Sequence, residues 1–262
     1  MKPLAIDLFC GLGGWTDGLL AEGWSVLGVD IEAHQYGPHR YPATLLVHDV
    51  LDLHGAWFKD ADLIVASPPC QEYSYMAMPW SRAKAKAAAI RADTTGAEHA
   101  RLNRLFEACF RIQREASEAA GRHIPMVVEN VRGAQPWVGK AVGKFGSFYL
   151  WGDVPELPVA AKAVKVGGID FNGYGTPGYK PVAFNDTAIR KLKDAGIKSG
   201  GDWFNAEQPS ISRTTSSKSR ARKAASAMIA KIPEPLARHI ARHFYPKEKP
   251  PDLSTRGALM FP

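Results

Sequence analysis

One cysteine in a rigid turn is the residue of this 262-residue sequence whose setting most favours covalent chemistry. Cys70 lies in the segment Ala-Ser-Pro-Pro-Cys-Gln-Glu-Tyr-Ser, directly after the apolar run Leu63–Ala66. Prolines restrict the backbone, so Pro68 and Pro69 hold the thiol in a defined place. Ligands of open parallel sheets gather beyond the carboxyl ends of strands, where this turn is expected to lie. The pattern predicts a nucleophilic thiol, whereas a lone cysteine without such a context is more often a small packing residue.

A carboxylic acid follows another apolar run of the sequence. Glu129 and Asn130 come after the run Met126–Val128, in the segment Met-Val-Val-Glu-Asn-Val-Arg-Gly. A carboxyl group at a strand end near a thiol can donate or accept a proton on a bound substrate. The alternative for Glu129 alone is a helix cap or a solvated charge. Its place on the same edge of the predicted sheet as Cys70 favours the catalytic role.

A glycine-rich turn near the start of the chain predicts a nucleoside site. The segment Asp-Leu-Phe-Cys-Gly-Leu-Gly-Gly-Trp-Thr-Asp-Gly is followed by Asp30 at the end of the next predicted strand, where a carboxylate can accept hydrogen bonds from ribose hydroxyls. The glycine spacing departs from the dinucleotide pattern G-x-G-x-x-G. Asp7 would repel a pyrophosphate but attract an ammonium group. The alternative is a plain structural turn.

The elements that position these residues predict an α/β fold. Buried strands are expected at Leu4–Leu8, Ser25–Asp30, Leu45–Val47, Leu63–Ala66 and Met126–Val128. Helical patterns cover Trp15–Glu22, Ser81–Arg122 as one or two helices, and Arg222–Phe244, interrupted at Pro233 and Pro235. Because helices separate several of the strands, the sequence favours a doubly wound, mostly parallel sheet.

The same patterns divide the chain into regions. We expect residues 1–160, completed by 220–245, to form the catalytic and cofactor-binding domain. Residues 161–219 are rich in glycine and polar residues without periodicity, which indicates a small second lobe, and the proline-rich residues 246–262 indicate a tail. The basic runs Arg190–Lys198 and Ser210–Lys223 are candidates for phosphate contacts or simply solvated surface.

Composition limits the classes of function. The net charge of +7 favours a polyanionic partner such as nucleic acid. The three cysteines share no metal-ligand spacing, which predicts neither a structural zinc nor a disulfide framework and favours a reducing compartment. Without a secretion signal or an apolar run of membrane-spanning length, the sequence predicts a soluble, cytoplasmic protein that does not bind membranes.

Taken in order, the three segments around Asp7, Cys70 and Glu129 resemble motifs I, IV and VI of the cytosine-5 DNA methyltransferase family. The segment Ala225–Ala241 is similar to a divergent final motif of that family. The resemblance implies a class I methyltransferase (Rossmann-like) fold and S-adenosylmethionine as methyl donor, with S-adenosylhomocysteine as product and no metal. It further implies a DNA partner, expected to be double-stranded, a target base rotated out of its stack, and a monomeric enzyme.

The resemblance also implies roles for individual residues. Asp7, Phe9, Gly11 and Gly13 would border the methionine end of the cofactor, Asp30 and Ile31 its ribose and adenine, and Asp49 and Val50 the adenine edge. Pro69 and Cys70 would meet the cytosine, and Glu129, followed by Asn130, would hydrogen-bond its ring nitrogen 3 and exocyclic amine. Ser67, Gln71, Arg132 and Lys144 are the further candidates for substrate contacts.

The sequence departs from the family pattern in two respects. The Gln-x-Arg-x-Arg block, whose arginine helps to hold the flipped cytosine, is absent, and its counterpart Gly143–Gly152 keeps only strand character. The recognition region, 161–219, is short, which predicts weak or short sequence discrimination. Methylation of cytosine in RNA or in a free nucleotide is therefore an alternative. A catalytically silent DNA-binding protein and a nicotinamide dehydrogenase are more distant alternatives.

Overall fold

The computed structural model of the chain describes residues 2–73, 80–158, 223, 227 and 230–246. The strands in this part are β1 (Leu4–Leu8), β2 (Ser25–Asp30), β3 (Gln35–Tyr36), β4 (His39–Arg40), β5 (Thr44–Val47), β6 (Leu63–Ala66), β7 (Met126–Asn130), β8 (Gly143–Phe145) and β9 (Phe148–Gly152). The helices are α1 (Gly14–Ala21), α2 (Trp80–Ala92), α3 (Ala97–Ala120), α4 (Gln135–Val138) and α5 (Glu234–Phe244). Three short 3-10 helices cover Val50–Asp52, Gly55–Phe58 and Arg132–Ala134.

Seven of these strands form one mixed sheet, in the order β5-β2-β1-β6-β7-β9-β8. The first five in that order are parallel, whereas β9 runs antiparallel to β7 and to β8. The strands β3 and β4 form a separate hairpin. The predicted α/β fold with a doubly wound, mostly parallel sheet is therefore confirmed.

The central strands are apolar because helices cover both faces of the sheet. All residues of β6 and β7 are buried, and except for Glu129 and Asn130 at the end of β7 they form the continuous hydrophobic runs expected of parallel strands. On one face α3 contributes buried side chains, with Leu102, Phe106, Cys109 and Ile112 inside and Leu105 half-buried. On the other face α1 and α5 cover the sheet around Trp15, Leu19 and Leu236. The two layers fix the strands, and with them the loops at their ends.

The helix α5 packs directly on α1. A Cβ atom at Gly18 would lie 2.4 Å from the Ala237 Cβ, so only glycine permits this approach. The Trp24 indole donates to the Ala241 carbonyl at 3.1 Å, and Arg238 pairs with Glu22 at 2.6 Å. These contacts join a late segment of the chain to its first helix.

Two sequence expectations about element ends were wrong. The expected interruption at Pro233 is present, since residues 231–233 separate the helical residue 230 from α5, but Pro235 does not interrupt a helix and lies in the first turn of α5, where a missing backbone N–H costs nothing. Glu129 and Asn130 do not follow a strand but are the last residues of β7, because Leu150 and Tyr149 of β9 pair with them.

Several predicted features lie outside the described residues. They are the lobe at 161–219, nearly all of the tail, the basic run Arg190–Lys198 and all of Ser210–Lys223 except its last residue. No helix within the described ranges is long and apolar enough to cross a bilayer.

Candidate functional site

The turn that carries Cys70 begins where β6 ends, in the middle of the sheet. The Ser67 backbone N–H donates to the Leu8 carbonyl at 3.2 Å, which continues the parallel pairing one residue past β6. The Trp15 indole donates to the Ser67 hydroxyl at 3.0 Å. Beyond Ser67, Pro68 is buried, Pro69 is exposed and Cys70 is partly exposed. Cys70 is thus carried by an anchored turn and is partly exposed.

Asn130 ties this turn to the neighbouring strand. Its side-chain amide donates to the Pro68 carbonyl at 3.0 Å, and its side-chain oxygen accepts from the Val131 N–H at 2.8 Å. Asn130 is completely buried, so each of these bonds satisfies a polar group that water cannot reach. The strand end that bears the acid and the turn that bears the thiol are therefore held together by a direct hydrogen bond.

Glu129 lies on the opposite face of β7 from Asn130. In the register Ala66 pairs with Val128, so the next row sets Ser67 beside Glu129. The Glu129 side chain is 4% exposed. The structure thus brings the predicted acid to the carboxyl end of β7, next to the strand end that leads to Cys70.

Tyr73 anchors the far end of the Cys70 turn. Its N–H donates to the Cys70 carbonyl at 3.0 Å, while its hydroxyl donates to the Leu102 carbonyl at 3.2 Å and the Asn103 side-chain oxygen at 3.0 Å. The Asn103 amide in turn donates to the Trp137 carbonyl at 2.9 Å. Burial raises the pKa of the Tyr73 hydroxyl, which keeps its proton available for donation. Sequence reasoning missed Tyr73 and Asn103, since no local pattern marks this pairing.

The glycine-rich turn after β1 has a left-handed backbone at three positions. Phe9, Gly11 and Gly13 have φ angles of 57°, 51° and 77°. A Cβ atom at Gly11 would meet nothing within 4 Å, whereas one at Gly13 would lie 2.6 Å from the Pro42 Cδ. Gly13 is therefore required by internal packing, and Gly11 borders open space where a ligand can approach the backbone.

Asp30 presents an ionised carboxylate beside this turn. Its Oδ2 accepts from the Gly11 N–H at 2.8 Å, and its Oδ1 lies 3.3 Å from the His34 Nε2. Burial raises the pKa of Asp30, but the hydrogen bonds from His34 and Gly11 outweigh it and lower the pKa below its ordinary value. The pKa of His34 is raised, chiefly by its hydrogen bond to Asp30.

Asp7 is a buried acid with one bonded oxygen. Its Oδ2 accepts from the Thr16 hydroxyl at 2.6 Å, and the Thr16 oxygen lies 2.7 Å from the Tyr41 hydroxyl. Among the residues that the structure describes, no group hydrogen-bonds the other carboxylate oxygen, Oδ1. Burial raises the pKa of Asp7 to about 7. Thr16 and Tyr41 were not predicted from the sequence.

The residues predicted to border the adenine differ in exposure. Ile31, directly after Asp30, is 67% exposed. Asp49 caps a short 3-10 helix by accepting from the Leu51 N–H at 2.9 Å. Val50 is 2% exposed and packs in the core on the α3 side of the sheet, and its carbonyl accepts from the Arg111 guanidinium at 3.3 Å.

The predicted substrate contacts are not all brought together. Gln71 and Arg132 are exposed, close in sequence to Cys70 and Asn130 respectively. Lys144 is exposed on β8, two strands from β7, where the pairing through Tyr149 gives it the same side of the sheet as Asn130 and the opposite side from Glu129. In the described part of the chain, no three His, Cys, Asp or Glu side chains are grouped to hold a metal ion.

The residues around the turn after β1 fit a nucleoside that carries a cationic group. Gly11 leaves the backbone open, Asp30 offers an ionised carboxylate for ribose hydroxyls, and Asp7 keeps a buried oxygen that lacks a donor in the described structure. S-adenosylmethionine combines these features, with an ammonium group at its methionine end. The open backbone at Gly11 and the two carboxyl groups therefore suit this cofactor.

A family model described as C-5 cytosine-specific DNA methylase matches residues 4–134. The chain belongs to this family. The resemblance of the three motifs is thereby confirmed, and the matched range contains the segments of Asp7, Cys70 and Glu129. No curated protein sequence matches the chain.

Solved structures of methyltransferases resemble parts of the chain. A protein described as a DNA modification methyltransferase encoded within an E. coli prophage is 24% identical over 51% of this chain and 33% of that chain, with a TM-score of 0.33. The S. pombe Dnmt2 methyltransferase is 15% identical over 53% of this chain and 37% of that chain, with a TM-score of 0.32. A Spodoptera frugiperda DNMT2 mutant is 11% identical over 94% of this chain and 100% of that chain, with a TM-score of 0.38. The chain thus spans about a third of the length of the first two proteins.

Proposed function

We propose that this chain transfers a methyl group from S-adenosylmethionine to carbon 5 of cytosine in DNA, through a covalent Cys70 adduct with a base rotated out of the duplex. One observation carries the proposal. The turn with the accessible Cys70 and the strand end with Glu129 are tied together by the 3.0 Å hydrogen bond between Asn130 and Pro68. Membership of the cytosine-5 family supports this assignment of roles.

The thiol solves a problem of reactivity, since carbon 5 of cytosine is too weak a nucleophile to take a methyl group directly. Attack of the Cys70 thiolate on carbon 6 forms a carbon–sulfur bond and moves electron density to carbon 5. Glu129 stabilises the negative charge by donating a proton or a strong hydrogen bond to ring nitrogen 3. Once carbon 5 has taken the methyl group, loss of its proton to a base, expulsion of the Cys70 thiolate and return of the nitrogen 3 proton to Glu129 restore the aromatic ring.

S-adenosylmethionine, when bound, would supply the electrophilic sulfonium methyl group that carbon 5 accepts, with S-adenosylhomocysteine as the leaving group. Asp7, with Phe9, Gly11 and Gly13, borders its methionine end, and Asp30 accepts hydrogen bonds from its ribose hydroxyls. Ile31, Asp49 and Val50 border the adenine. We assign to Asn130 the task of holding the diproline turn, so that Pro69 and Cys70 meet the cytosine.

Duplex DNA is the proposed partner of a monomeric enzyme. Rotating a base out of the stack costs on the order of a few kcal/mol, and basic side chains that bind phosphates offset this cost. Arg132 and Gln71 flank the site and are the proposed contacts, together with Ser67. Lys144 is proposed for a phosphate contact, since it is an exposed basic residue on the edge strand β8.

Covalent trapping tests the proposal. The full chain is incubated with S-adenosylmethionine and duplex DNA that contains 5-fluorocytosine, and denaturing electrophoresis with mass spectrometry detects the adduct. Fluorine cannot leave carbon 5 as a proton does, so a working enzyme stalls with its Cys70 sulfur bonded to carbon 6. We expect an adduct that depends on the methyl donor and is absent in Cys70→Ala. A chain that methylates but gives no adduct would overturn the covalent mechanism.

Methylation of cytosine in RNA or in a free nucleotide is the second candidate. The observation in its favour is that Gly143–Gly152 lacks both arginines of the Gln-x-Arg-x-Arg block. Methyl transfer to duplex DNA, transfer RNA and dCMP, compared at equal cytosine concentration, separates the two candidates. Activity on RNA or dCMP alone would replace DNA as the substrate, whereas methyl transfer to none of them would favour a catalytically silent DNA-binding protein.

A further inference from the structure

A buried chain of three polar side chains lies under the glycine-rich turn. The Tyr41 hydroxyl is 2.7 Å from the Thr16 hydroxyl, which donates to the Asp7 carboxylate at 2.6 Å. Tyr41 is 7% exposed, Thr16 0% and Asp7 1%. The three residues come from different elements, namely the segment after β4, the helix α1 and the strand β1. No step of the proposed reaction uses Tyr41 or Thr16.

The strand register makes room for this arrangement. Asp7 pairs with Gly28 on β2, and a Cβ atom at Gly28 would lie 2.3 Å from the Tyr41 Cζ. Any larger residue at this position would therefore displace the tyrosine ring. Because Gly28 has no side chain, the Tyr41 ring occupies the space above this position and reaches Thr16. A specific position of the phenol is thus built into the sheet.

The directions of the hydrogen bonds are set by the number of protons that each group can donate. A hydroxyl has one proton, and Thr16 gives its proton to the ionised Asp7 carboxylate. The Tyr41 hydroxyl must then donate to the Thr16 oxygen. Burial raises the pKa of Tyr41, so the phenol keeps its proton throughout the ordinary pH range. The chain therefore directs donors at only one of the two carboxylate oxygens.

The other oxygen of Asp7 keeps no donor among the described residues. A buried, unsatisfied carboxylate oxygen bears its desolvation cost until a ligand supplies a donor. The Asp7 Oδ1 atom suits a cationic N–H group, because the positive charge of that group also offsets the negative charges of Asp30 and Asp17 nearby. An ammonium group is the matching chemistry.

We propose that Tyr41 and Thr16 are positioning residues for the cofactor, which bind one oxygen of Asp7 and thereby hold the other for the ammonium group of the methionine moiety. The inference rests on the proposed function, since it presumes that the cofactor binds at the glycine-rich turn. It assigns the recognition of one ligand group to a hydroxyl relay rather than to Asp7 alone. Gly28 is the residue that admits the relay.

Two ligands separate the binding of the amino-acid end from the binding of the ribose and adenine. S-adenosylhomocysteine carries the ammonium group, whereas 5′-methylthioadenosine shares its nucleoside but lacks the amino-acid end. The ratio of their dissociation constants, measured by titration calorimetry on the full chain, reports the amino-acid end and cancels contributions from the ribose and adenine. We expect the wild-type chain to bind S-adenosylhomocysteine more tightly.

The pH dependence of that ratio gives a second readout. Since the pKa of Asp7 is raised to about 7, its carboxyl is protonated at pH 6 and ionised at pH 8. The preference for S-adenosylhomocysteine should therefore rise about tenfold between pH 6 and pH 8. The groups that face Asp7 are Asp17 on α1, paired with Lys231, Asp30 on β2, and the Cys10 thiol, whose pKa burial raises. Titration of His34 acts through Asp30 at the ribose, so it affects both ligands and leaves the ratio unchanged.

Conservative variants test the relay. Tyr41→Phe should reduce the preference for S-adenosylhomocysteine about three- to tenfold, and Thr16→Val by about tenfold, because each removes a hydrogen bond to or behind the carboxylate. Thr16→Ser keeps the hydroxyl and should restore the wild-type ratio. Tyr245→Phe is the matched control, since Tyr245 packs on Trp24 at the other end of α1. Circular dichroism and thermal unfolding verify that each variant is folded.

The outcomes separate the two proposals. If neither ligand binds the wild-type chain, the proposed cofactor site itself is wrong. If both bind but Tyr41→Phe leaves their ratio and its pH profile unchanged, the relay is overturned and the cofactor site stands. Equal weakening of both ligands in Tyr41→Phe also overturns the relay, because a merely structural role would affect the whole pocket. A variant that fails to fold is replaced by Thr16→Ser against Thr16→Val, which differ only at the hydroxyl.

Discussion

The glycine-rich turn and the diproline turn, which form the two sides of the candidate site, differ in the burial of their functional groups. On the side of the glycine-rich turn, Asp7 and Asp30 are buried carboxyls in dense internal contacts, and their pKa values are shifted in opposite directions. On the side of the diproline turn, the anchors are hydrogen bonds at its two ends, by Asn130 to the Pro68 carbonyl and by Tyr73 to the Cys70 carbonyl, and Cys70 itself is partly exposed. One side holds buried carboxyl groups, and the other side leaves its cysteine partly exposed.

The difference indicates how the fold divides its tasks. Recognition of a small charged ligand requires fixed, desolvated groups, which destabilise the protein when no ligand is bound. A nucleophile for a large substrate must instead stay accessible on a rigid support. Substitutions on the glycine side should therefore change stability and ligand affinity together, whereas those at the reactive groups should change the rate alone.

The largest effect is expected for Cys70→Ala. The variant lacks the nucleophile, so methyl transfer should fall to the background of a tritiated-methyl assay, while S-adenosylhomocysteine affinity and unfolding free energy stay at wild-type values. Cys109→Ala is the control: this buried cysteine of α3 should cost about 1 kcal/mol of stability and leave the rate intact. Residual methylation by Cys70→Ala would contradict the assigned role.

Glu129→Gln should produce the next largest effect. Without the acid, the developing charge at ring nitrogen 3 loses its proton donor, and kcat should fall by about 10²- to 10⁴-fold. Cofactor affinity should not change. Steady-state kinetics with the exposed Glu118→Gln as reference measures the effect, and equal rates in the two variants would place the acid elsewhere.

Asp7→Asn tests the side of the site at the glycine-rich turn. The pKa of Asp7 in the folded chain, about 7, lies above the ordinary value of 3.8, so the folded chain retains this proton longer and loses stability as the pH rises from about 4 to about 7, with no further loss above that. An amide cannot ionise. Relative to wild type, Asp7→Asn should therefore gain about 2–3 kcal/mol of unfolding free energy between pH 5 and pH 8. Urea unfolding at both pH values measures the gain, and a pH-independent difference would be inconsistent with a buried titrating acid.

The smallest effect is expected for Tyr73→Phe. Losing the hydroxyl leaves the buried Asn103 side-chain oxygen without this donor and should cost about 1–2 kcal/mol of stability. S-adenosylhomocysteine affinity should be unchanged, because the hydroxyl belongs to the side of the diproline turn. Weaker cofactor binding in this variant would show that the two sides are not independent.

Short-range patterns in the sequence predicted the sheet and the positions of the candidate site residues at the ends of its strands. Cys70, Glu129 and the glycine-rich turn each lie within a few residues of the strand that positions them, so the strand pattern and the turn residues were enough to find them. The order of alternating strands and helices likewise predicted a doubly wound sheet. Residues next to a strand end could thus be assigned without knowledge of the neighbouring strands.

Contacts between distant segments could not be predicted. Tyr41 reaches Thr16 only because β2 has a glycine in the row of Asp7, and Tyr73 meets Asn103 only because α3 returns over the sheet. Glu129 and Asn130 were expected directly after a strand, whereas their pairing with Leu150 and Tyr149 of β9, which come later in the chain, makes them the last residues of β7. These features depend on register, which a single sequence does not reveal.

The packing of α5 on α1 has a consequence for synthesis on the ribosome. The Trp24 indole bonds to the Ala241 carbonyl, 217 residues further along the chain. Until that segment emerges, the nascent protein exposes the apolar side of its first helix, and contacts of such large separation form slowly. A nascent chain released before α5 is made would already contain Asp7, Cys70 and Glu129. The apolar side of its α1 would remain exposed, and the released chain would be prone to aggregate through that surface.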